Sequence, residues 1–492
     1  MILLFIPLFL FALDLSSILS KPKSYVRDFY LTEYMKETNS TVLAYKAYEA
    51  LYKKKGFHLK ILSKKSPLFN QIYKCIDVDK KDLKKVDIAC VLDNGYSLRT
   101  LASFNKKELK YLYDKLPDSK VKRAIAILLK DDYKNVFNDR DLGYYFILNY
   151  PDKKIDVKIE DFSKFRDRYF YLFIRSALIN GLKRIQSSLL KIDYKSLSDK
   201  EKWWLFLTAM SNKKYDKAQK ILFSIKSKNS KIYFWRWLLG NKSAYNKLLN
   251  NPRIDIYTLY VHEEAKKPFE IRSKILYNTV KKPLFDQTNP WEVLKFYDKL
   301  KNSDNLFELA HQLDSNKSLA LKAIVLDKAF KYKYNIYIAP KIYEDKNKKF
   351  KAFVYAIIRQ ESRFVPASVS RSYALGAMQI MPFLVRELGG DVFKQFNYTQ
   401  NVKLGVKHLK MLFKLLKDPL MVAYAYNGGA GFVKRKVLPN FKYHGKYEPF
   451  LSMEMVPYSQ SREYGKKVIT NYVVYSHLFG VKKVTLHKIL KK

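Results

Sequence analysis

The chain has 492 residues, more than one hydrophobic core usually supports, so we expect two or three domains. Its hydrophobic fraction of 48% is typical of packed globular structure and argues against a chain that is disordered throughout. Lysine and arginine number 93 against 46 acidic residues, and the net charge of +47 favours polyanionic partners, although solvated lysine-rich helix faces would give the same balance.

The N-terminus has the pattern of a secretory signal. Residues 2–13 form a continuous apolar run, and small residues follow as far as Ser20. A helix needs about 20 apolar residues to cross a bilayer, so this run is too short and fits the apolar region of a signal peptide. We therefore predict a signal peptide at residues 1–20, with cleavage near Ser20. A buried N-terminal helix is the alternative.

The chain contains two cysteines, Cys75 and Cys90. Export would place them in an oxidising compartment, where a disulfide between them is the interpretation that we favour over two free buried thiols. Neither cysteine belongs to a cluster of Cys and His residues with the spacing of a metal site. The sequence therefore indicates no metal, and it indicates no cofactor.

Residues 21–335 have the pattern of short helices throughout. In stretches such as 109–116 and 218–222, apolar residues recur at intervals of three and four positions, with lysine at many of the others. Helix pairs separated by proline-bearing breaks predict an α-solenoid, or superhelical domain, although no strict repeat period is found. We interpret the aromatic clusters at 203–204 and 235–237 as packing between helices rather than as ligand-stacking platforms.

The composition changes near residue 335, and most glycines lie from Gly376 onward. We predict a separate, mainly helical domain at 336–492. Its first helix places several apolar residues on one face, and Glu361 is the next position on that face. The apolar residues are Phe350, Phe353, Val354, Ile357 and Ile358. Burial raises the pKa of a carboxyl group, as a general acid at neutral pH requires, whereas a buried salt bridge to Arg359 or Arg363 is the alternative.

Several short motifs follow Glu361 in order. Pro366, which we expect to stop the helix, is followed by a polar loop that contains Ser370. The later motifs are GAMQIMP at 376–382, AYAYNGGAG at 423–431 and EMVPYSQSREY at 454–464. A Gly-Gly pair such as that in the second of these motifs is typical of a helix C-terminus. Together, the order and spacing of the motifs resemble the soluble lytic transglycosylases over about residues 345–480.

The resemblance implies a lysozyme-like, helical catalytic domain. It implies cleavage of the β-1,4 bond from N-acetylmuramic acid to N-acetylglucosamine in peptidoglycan, without water, to give a 1,6-anhydro product. Glu361 matches the single catalytic acid/base of the family. The positions that match its saccharide cleft are Ser370, Gln379, Met381, Tyr426, Asn427, Glu454 and Gln460. The sequence departs from the family pattern at Gln460, where Glu is usual, at Tyr373, where Gly is common, and at Gly428, where Ala is common.

The resemblance further implies a periplasmic protein that acts on peptidoglycan glycan strands, with cell-wall synthesis proteins as candidate partners. A lysozyme-type hydrolase is one alternative, and it would need a second carboxylate such as Glu387, Asp391 or Glu454. A non-catalytic helical scaffold that binds wall polymer through its positive charge is another. Nucleic acid is not an expected partner, because the chain has an export signal and no motif of a nucleic-acid reader.

Overall fold

The computed structural model describes residues 14–70, 97–150, 152–271 and 284–491. Within these ranges the fold is all-α, as the sequence predicts, and the only extended pairing is one isolated antiparallel bridge between Leu375 and Ile380. No described helix has the length and apolar character needed to cross a membrane. The chain forms two compact units, one from Met1–Tyr150 with Val369–Tyr373 and the other from Pro151–Ser368 with Ala374–Lys492. The predicted domain boundary between residues 335 and 336 stays a prediction.

The first unit consists of short helices with polar caps. Its described α-helices are α1 Leu15–Leu19, α2 Tyr25–Glu37, α3 Thr41–Glu49, α4 Gly56–Ser63, α5 Leu98–Leu101, α6 Lys106–Lys115, α7 Lys120–Lys130 and α8 Arg140–Asn149. α6 begins at a capping box, in which Asn105 accepts from the Glu108 N–H and Glu108 accepts from the Asn105 N–H. Such reciprocal caps satisfy backbone donors that a helix leaves unpaired at its start.

The N-terminal prediction falls partly on described residues. Leu15 and Ile18 of α1 are buried in one apolar cluster with Leu31 and Met35 of α2. Residues 1–13 lie outside the described ranges, and so do Cys75 and Cys90. Signal cleavage near Ser20 and the disulfide therefore both stay predictions.

The second unit begins with a succession of short helices. They are α9 Phe170–Ile179, α10 Lys183–Leu189, α11 Asp199–Ser211, α12 Tyr215–Phe223, α13 Ser230–Leu238, α14 Lys242–Leu249, α15 Ile256–Glu264, α16 Pro290–Lys301, α17 Leu306–Gln312 and α18 Leu319–Ala329. Helices adjacent in sequence contact each other, as α11 and α12 do. Trp203, Trp204 and Trp235 are buried, as the packing interpretation predicts, whereas Trp237 is partly exposed. The solenoid arrangement itself stays a prediction.

The same unit continues with the helices that hold the candidate site. They are α19 Lys348–Ser362, α20 Pro382–Glu387, α21 Tyr398–Leu416, α22 Pro419–Gly428, α23 Ala430–Phe432, α24 Phe450–Glu454, α25 Ser459–Leu478 and α26 Leu486–Leu490. α25 contacts both α19 and α22. The α22 contact requires a glycine, because a Cβ at Gly465 would overlap the ring of Tyr424.

The end of α19 differs from the prediction. Pro366 does not stop this helix, which already ends at Ser362. Arg363 and Phe364 follow with positive φ angles of 55° and 70°, in the left-handed region that cannot continue a right-handed helix. The change of backbone direction after Ser362 therefore comes from these two residues, and Glu361 lies in the last turn of the helix.

Short turns of other helical types complete the described structure. Turns of 3-10 type occur at Tyr133–Asn138, Lys153–Ile155, Ser163–Phe165, Val392–Lys394 and Leu438–Asn440, and Val433–Val437 forms a π-type turn.

Candidate active site

Glu361 is presented by α19, the helix that the sequence predicts. Asn347 caps the start of this helix by accepting from the backbone N–H groups of Lys349 and Phe350 at 3.1 and 3.2 Å. Phe353, Val354, Ile357 and Ile358 of the predicted apolar face are buried, whereas Phe350 is partly buried. Glu361 continues that face and is itself partly buried. The helix therefore directs a carboxyl group into surroundings that its neighbours make apolar.

The alternative of a buried salt bridge at Glu361 is wrong. Arg359 donates to the backbone oxygen of Ile336 at 2.6 Å, and Arg363 pairs with Asp327. Across the described ranges, none of the ion pairs includes Glu361. The carboxyl group therefore lacks the nearby positive charge that would stabilise its ionised form.

A single tyrosine is hydrogen-bonded to Glu361 in the described structure. The hydroxyl of Tyr464, on α25, donates to Glu361 Oε1 at 2.7 Å. Burial raises the pKa of Glu361 to about 7, and the Tyr464 hydrogen bond opposes that rise. A carboxyl group with this pKa exists in both protonation states near neutral pH. It can therefore donate a proton to a substrate and take one back.

Tyr426 lies near the end of α22. Its hydroxyl donates to the backbone oxygen of Met378 at 2.8 Å. Burial, followed by the charge of Glu361, raises the pKa of Tyr426 well above its usual value. Contact of Tyr426 with the saccharide stays a prediction.

The motif at 376–382 is held by a buried asparagine on α21. Asn401 Oδ1 accepts from the Met378 N–H at 2.7 Å, and its Nδ2 donates to the Leu375 oxygen at 3.0 Å. Gly376 has φ +81°, and any Cβ there would overlap Asn401. Gln379 has φ +50°, and its Nε2 donates to the Gly376 oxygen at 2.8 Å. The motif is therefore a tight loop stabilised by Gln379 and by Asn401 of α21.

The other predicted cleft residues of the second unit differ in exposure. Asn427 Oδ1 accepts from the Ser461 hydroxyl at 2.8 Å, so this residue connects the ends of α22 and α25. Met381 is partly buried and precedes the first residue of α20. Gln460 is exposed in the first turn of α25. Substrate contact by these side chains stays a prediction.

Glu454 is a buried ion-pair partner. It is 1% exposed, and its Oε1 lies 2.8 Å from Lys466 Nζ. The hydroxyl of Tyr257 donates to the same oxygen. Burial raises the pKa of Glu454, but the charges of Lys466 and Lys231 outweigh burial and hold the pKa below its usual value. Glu454 therefore belongs to an internal network that connects α15 with α24 and α25, and its contact with saccharide stays a prediction.

The remaining candidates lie on the surface or in the first unit. Glu387 and Asp391 are exposed, and Asp391 accepts from the backbone N–H of Phe393 at 2.9 Å. Ser370 lies in the turn Val369–Tyr373 of the first unit and is partly buried. In the part of the chain that the structure describes, no three His, Cys, Asp or Glu side chains are grouped to hold a metal ion.

Two residues of this site were not predicted from the sequence. Tyr464 binds Glu361, and Asn401 holds the loop that supplies the acceptor for Tyr426. Tyr464 lies in the motif at 454–464, so that motif could have indicated it. Asn401 lies outside the motifs, and no sequence signal distinguishes it from the other polar residues of α21.

A family model of known proteins matches the segment that contains Glu361, Asn401 and Tyr426. Residues 339–448 match the family model described as Transglycosylase SLT domain. The soluble lytic murein transglycosylase of Salmonella typhimurium is 28% identical over 145 residues, 27% of this chain and 22% of that protein. The membrane-bound lytic murein transglycosylase C of Pectobacterium atrosepticum is 36% identical over 104 residues, 17% of this chain and 28% of that protein. The matches thus cover about a quarter of the length of these relatives.

Two solved structures are similar over most of the chain. The inactive mutant of lytic transglycosylase Slt from Pseudomonas aeruginosa has a TM-score of 0.44 at 14% identity, covering 94% of this chain and 75% of that one. The 70 kDa soluble lytic transglycosylase of Escherichia coli has a TM-score of 0.46 at 13% identity, covering 96% and 92%.

The matched segment contains α19 with Glu361, the loop at 376–382 and α22 with Tyr426. These are the elements whose motifs carry the family resemblance in the sequence. Residues 339–448 of this chain are therefore a transglycosylase SLT domain.

Proposed function

We propose that this chain is a peptidoglycan lytic transglycosylase in which Glu361 is the single catalytic acid/base. The observation that carries the proposal is the environment of the Glu361 carboxyl group. It has no cation partner among the described residues, one hydrogen bond from Tyr464 and a pKa raised to about 7, within an SLT domain. General acid catalysis is most efficient when the catalytic pKa lies near the working pH.

The reaction has two proton transfers, and both involve the carboxyl group of Glu361. Protonated Glu361 first gives its proton to the glycosidic oxygen, and the bond from that oxygen to C1 of N-acetylmuramic acid breaks. The carbonyl oxygen of the sugar's own N-acetyl group stabilises C1. The C6 hydroxyl of the same sugar then attacks C1 and gives its proton to the Glu361 carboxylate. The product is a 1,6-anhydro ring, the enzyme is returned to its protonated form, and no water is consumed.

The intramolecular nucleophile is consistent with the surroundings of Glu361. A retaining or inverting hydrolase needs a second carboxylate across the scissile bond. Of the alternatives, Glu454 is held by Lys466 and Tyr257 in a buried network, which leaves it poorly suited to activate water. Attack by a well-oriented group of the same molecule has an effective concentration on the order of 10⁵ M or more. The sugar C6 hydroxyl is therefore the favoured nucleophile.

The neighbouring side chains would orient the substrate. Tyr426 donates to the backbone oxygen of Met378, and the loop that contains Gln379 and Met381 is fixed by hydrogen bonds. We assign these residues, together with Asn427, to the saccharide cleft. A polar group at a fixed position can hold the N-acetyl group in the geometry that its participation requires.

The proposed location is the periplasm. The supporting observations are the apolar N-terminal run and the names of the curated relatives, one a soluble and the other a membrane-bound lytic murein transglycosylase. We propose glycan strands of peptidoglycan as the substrate and proteins of cell-wall synthesis as partners. The net charge of +47 suits attachment to an anionic wall polymer.

The deciding experiment is digestion of purified sacculi followed by mass spectrometry of the released muropeptides. We expect products that end in 1,6-anhydro-N-acetylmuramic acid, each lighter by one water than the product of a lysozyme digest run in parallel. Glu361→Gln, purified in the same way, is the control for contaminating activity. Products with a reducing end would contradict this proposal and support a lysozyme-type hydrolase. If no muropeptides were released, the non-catalytic scaffold would be favoured.

A further inference from the structure

The turn Val369–Tyr373 forms part of the first unit, although the chain on both sides of it belongs to the second. Two hydrogen bonds within the turn close it. The Tyr373 N–H donates to the Ser370 carbonyl oxygen at 3.0 Å, and the Ser372 N–H donates to Ser370 Oγ at 3.2 Å. The orientation of the Ser370 hydroxyl therefore depends on the residues that close this turn.

The side chain of Tyr373 is inserted among the helices of the first unit. It is 3% exposed, and its ring lies edge-on to the ring of Phe57, with 5.8 Å between centroids. Lys55, the residue before α4, places Nζ 3.8 Å from the centroid of the Tyr373 ring. The same Nζ donates to the backbone oxygen of Arg371. One lysine thus holds both the backbone and the aromatic ring of the turn.

A buried histidine completes the contact at the hydroxyl end of Tyr373. His58 Nδ1 accepts from the Lys55 N–H at 3.0 Å, which leaves the ring proton on Nε2. Nε2 lies 3.1 Å from Thr32 Oγ1 and 3.4 Å from the Tyr373 hydroxyl. Burial, with the charges of Lys55 and Lys36, lowers the pKa of His58 to about 4, so the ring is neutral at pH 7. The hydroxyl of Tyr373 therefore lies against a neutral imidazole ring.

The backbone of Tyr373 is unfavourable without these contacts. Its φ of +66° lies in the left-handed region, where side chains other than glycine are sterically disfavoured. Residues remain in such conformations when the surrounding structure determines them. Tyr373 keeps this conformation while its side chain is 3% exposed.

We infer that Tyr373 is a positioning residue that, together with Lys55, holds the turn carrying Ser370 in its working conformation. The inference rests on the proposed function, because it takes Ser370 to be a saccharide contact. Tyr373 acts through the turn and does not itself contact the substrate. A glycine at this position would keep the backbone conformation allowed but would remove the side chain that fixes it.

The test compares three full-length variants with the wild type. Tyr373→Gly should accelerate hydrogen exchange of the Ser372 and Tyr373 amides and raise KM for sacculi, lowering kcat/KM about tenfold, since small misplacements of positioning groups cost up to about a hundredfold. Tyr373→Phe keeps the ring beneath Lys55, so its amide exchange and its KM for sacculi should stay near the wild-type values. Tyr332→Gly is the matched control, because Tyr332 also has a positive φ, of 56°, but is 55% exposed.

A double-mutant cycle then asks whether the effect passes through Ser370. If Tyr373 acts by placing the Ser370 hydroxyl, Tyr373→Gly should lower kcat/KM little further in a Ser370→Ala background. Fully additive losses would overturn the inference, and so would unchanged amide exchange in Tyr373→Gly.

Lys55→Met removes the cation but keeps an apolar chain of similar length. It supplies the same readings if Tyr373→Gly proves too unstable to purify.

The two proposals can fail separately. If wild-type protein releases no anhydro product, the proposed function fails. The amide-exchange comparison of wild type, Tyr373→Gly and Tyr332→Gly still decides whether Tyr373 holds the turn. If the wild type is active and exchange in the turn does not respond to Tyr373→Gly, the positioning role fails while the proposed function stands.

Discussion

The hydroxyl of Tyr464 donates a hydrogen bond of 2.7 Å to Glu361 Oε1, although 103 residues separate the two in sequence. The contact joins α25 to the last turn of α19 and is the direct polar contact of the carboxyl group in the described structure. A hydrogen bond to a carboxylate stabilises its charged form, whereas burial destabilises it. In Glu361 burial is the larger of the two effects, and its pKa is raised to about 7.

Glu361→Gln should abolish lysis and leave the fold intact. The amide oxygen of Gln can still accept from Tyr464, but the side chain can no longer donate a proton to the glycosidic oxygen. Removal of a general acid typically lowers the rate by about a hundredfold or more. The measurement is release of muropeptides from sacculi, with circular dichroism as the test of folding. A folded variant that retained a tenth of the wild-type rate would rule out this role for Glu361.

The same substitution should change the pH dependence of stability. The folded-state pKa of Glu361 is raised from 4.5 to about 7, so the unfolded chain loses this proton first as the pH rises. The folded state therefore loses up to about 3 kcal/mol of stability between pH 4.5 and 7, at ~1.4 kcal/mol per pKa unit. Gln does not titrate, so the melting temperature of Glu361→Gln should exceed that of the wild type more at pH 8 than at pH 4.5.

Tyr464→Phe should move the alkaline limb of the pH–activity profile to higher pH. Activity requires protonated Glu361, so kcat/KM of the wild type should fall as the pH rises through about 7. Removal of the Tyr464 hydroxyl takes away a hydrogen bond that lowers this pKa, and the protonated form should then persist to higher pH. Tyr426→Phe is the control, because the Tyr426 hydroxyl donates to Met378 and not to Glu361. A limb that moved to lower pH in Tyr464→Phe would contradict this assignment.

Lys466→Met should destabilise the protein strongly. Lys466 and Glu454 are 4% and 1% exposed, and removal of the cation leaves a buried carboxylate without its partner. Breaking one partner of such a pair costs about 3–5 kcal/mol, whereas replacing both by neutral groups costs much less. The double variant Glu454→Gln/Lys466→Met should therefore recover most of the loss in urea unfolding. Lys467→Met, at the exposed neighbouring position, should have little effect.

Cys75 and Cys90 should be joined in protein recovered from its native envelope. The expectation follows from the predicted export of the chain to an oxidising compartment. Alkylation under denaturing, non-reducing conditions should add no mass, and prior reduction should allow both cysteines to be labelled. Labelling of both without reduction would contradict the disulfide.

The sequence predicts the local part of the candidate site well, because the apolar residues of α19 recur at helical spacing. That spacing places Glu361 in line with buried side chains, and Glu361 is itself partly buried. The predicted end of the helix was wrong. Pro366 is a stop signal that the sequence shows, whereas the positive φ of Arg363 cannot be recognised from the sequence.

Contacts between distant segments could not be predicted in this way. The pairing of Tyr464 with Glu361 and of Asn401 with Met378 depends on how three helices pack, and periodicity within one helix contains no such information. The same limit applies to Arg363, whose ion pair with Asp327 required knowledge of where α18 lies. The all-α class was predictable because helical spacing recurs along the whole chain.

The separation of Glu361 from cations has a consequence for how ionic strength acts on this protein. The chain carries a net charge of +47, yet the pKa of Glu361 is set by burial and by an uncharged hydroxyl. Salt screens interactions between exposed charges over about 10 Å at 0.1 M but has little effect on burial or on a short hydrogen bond. Added salt should therefore weaken attachment to an anionic wall while the alkaline limb stays at the same pH. Sodium chloride would then weaken binding of the polymer without changing the pH at which Glu361 loses its proton.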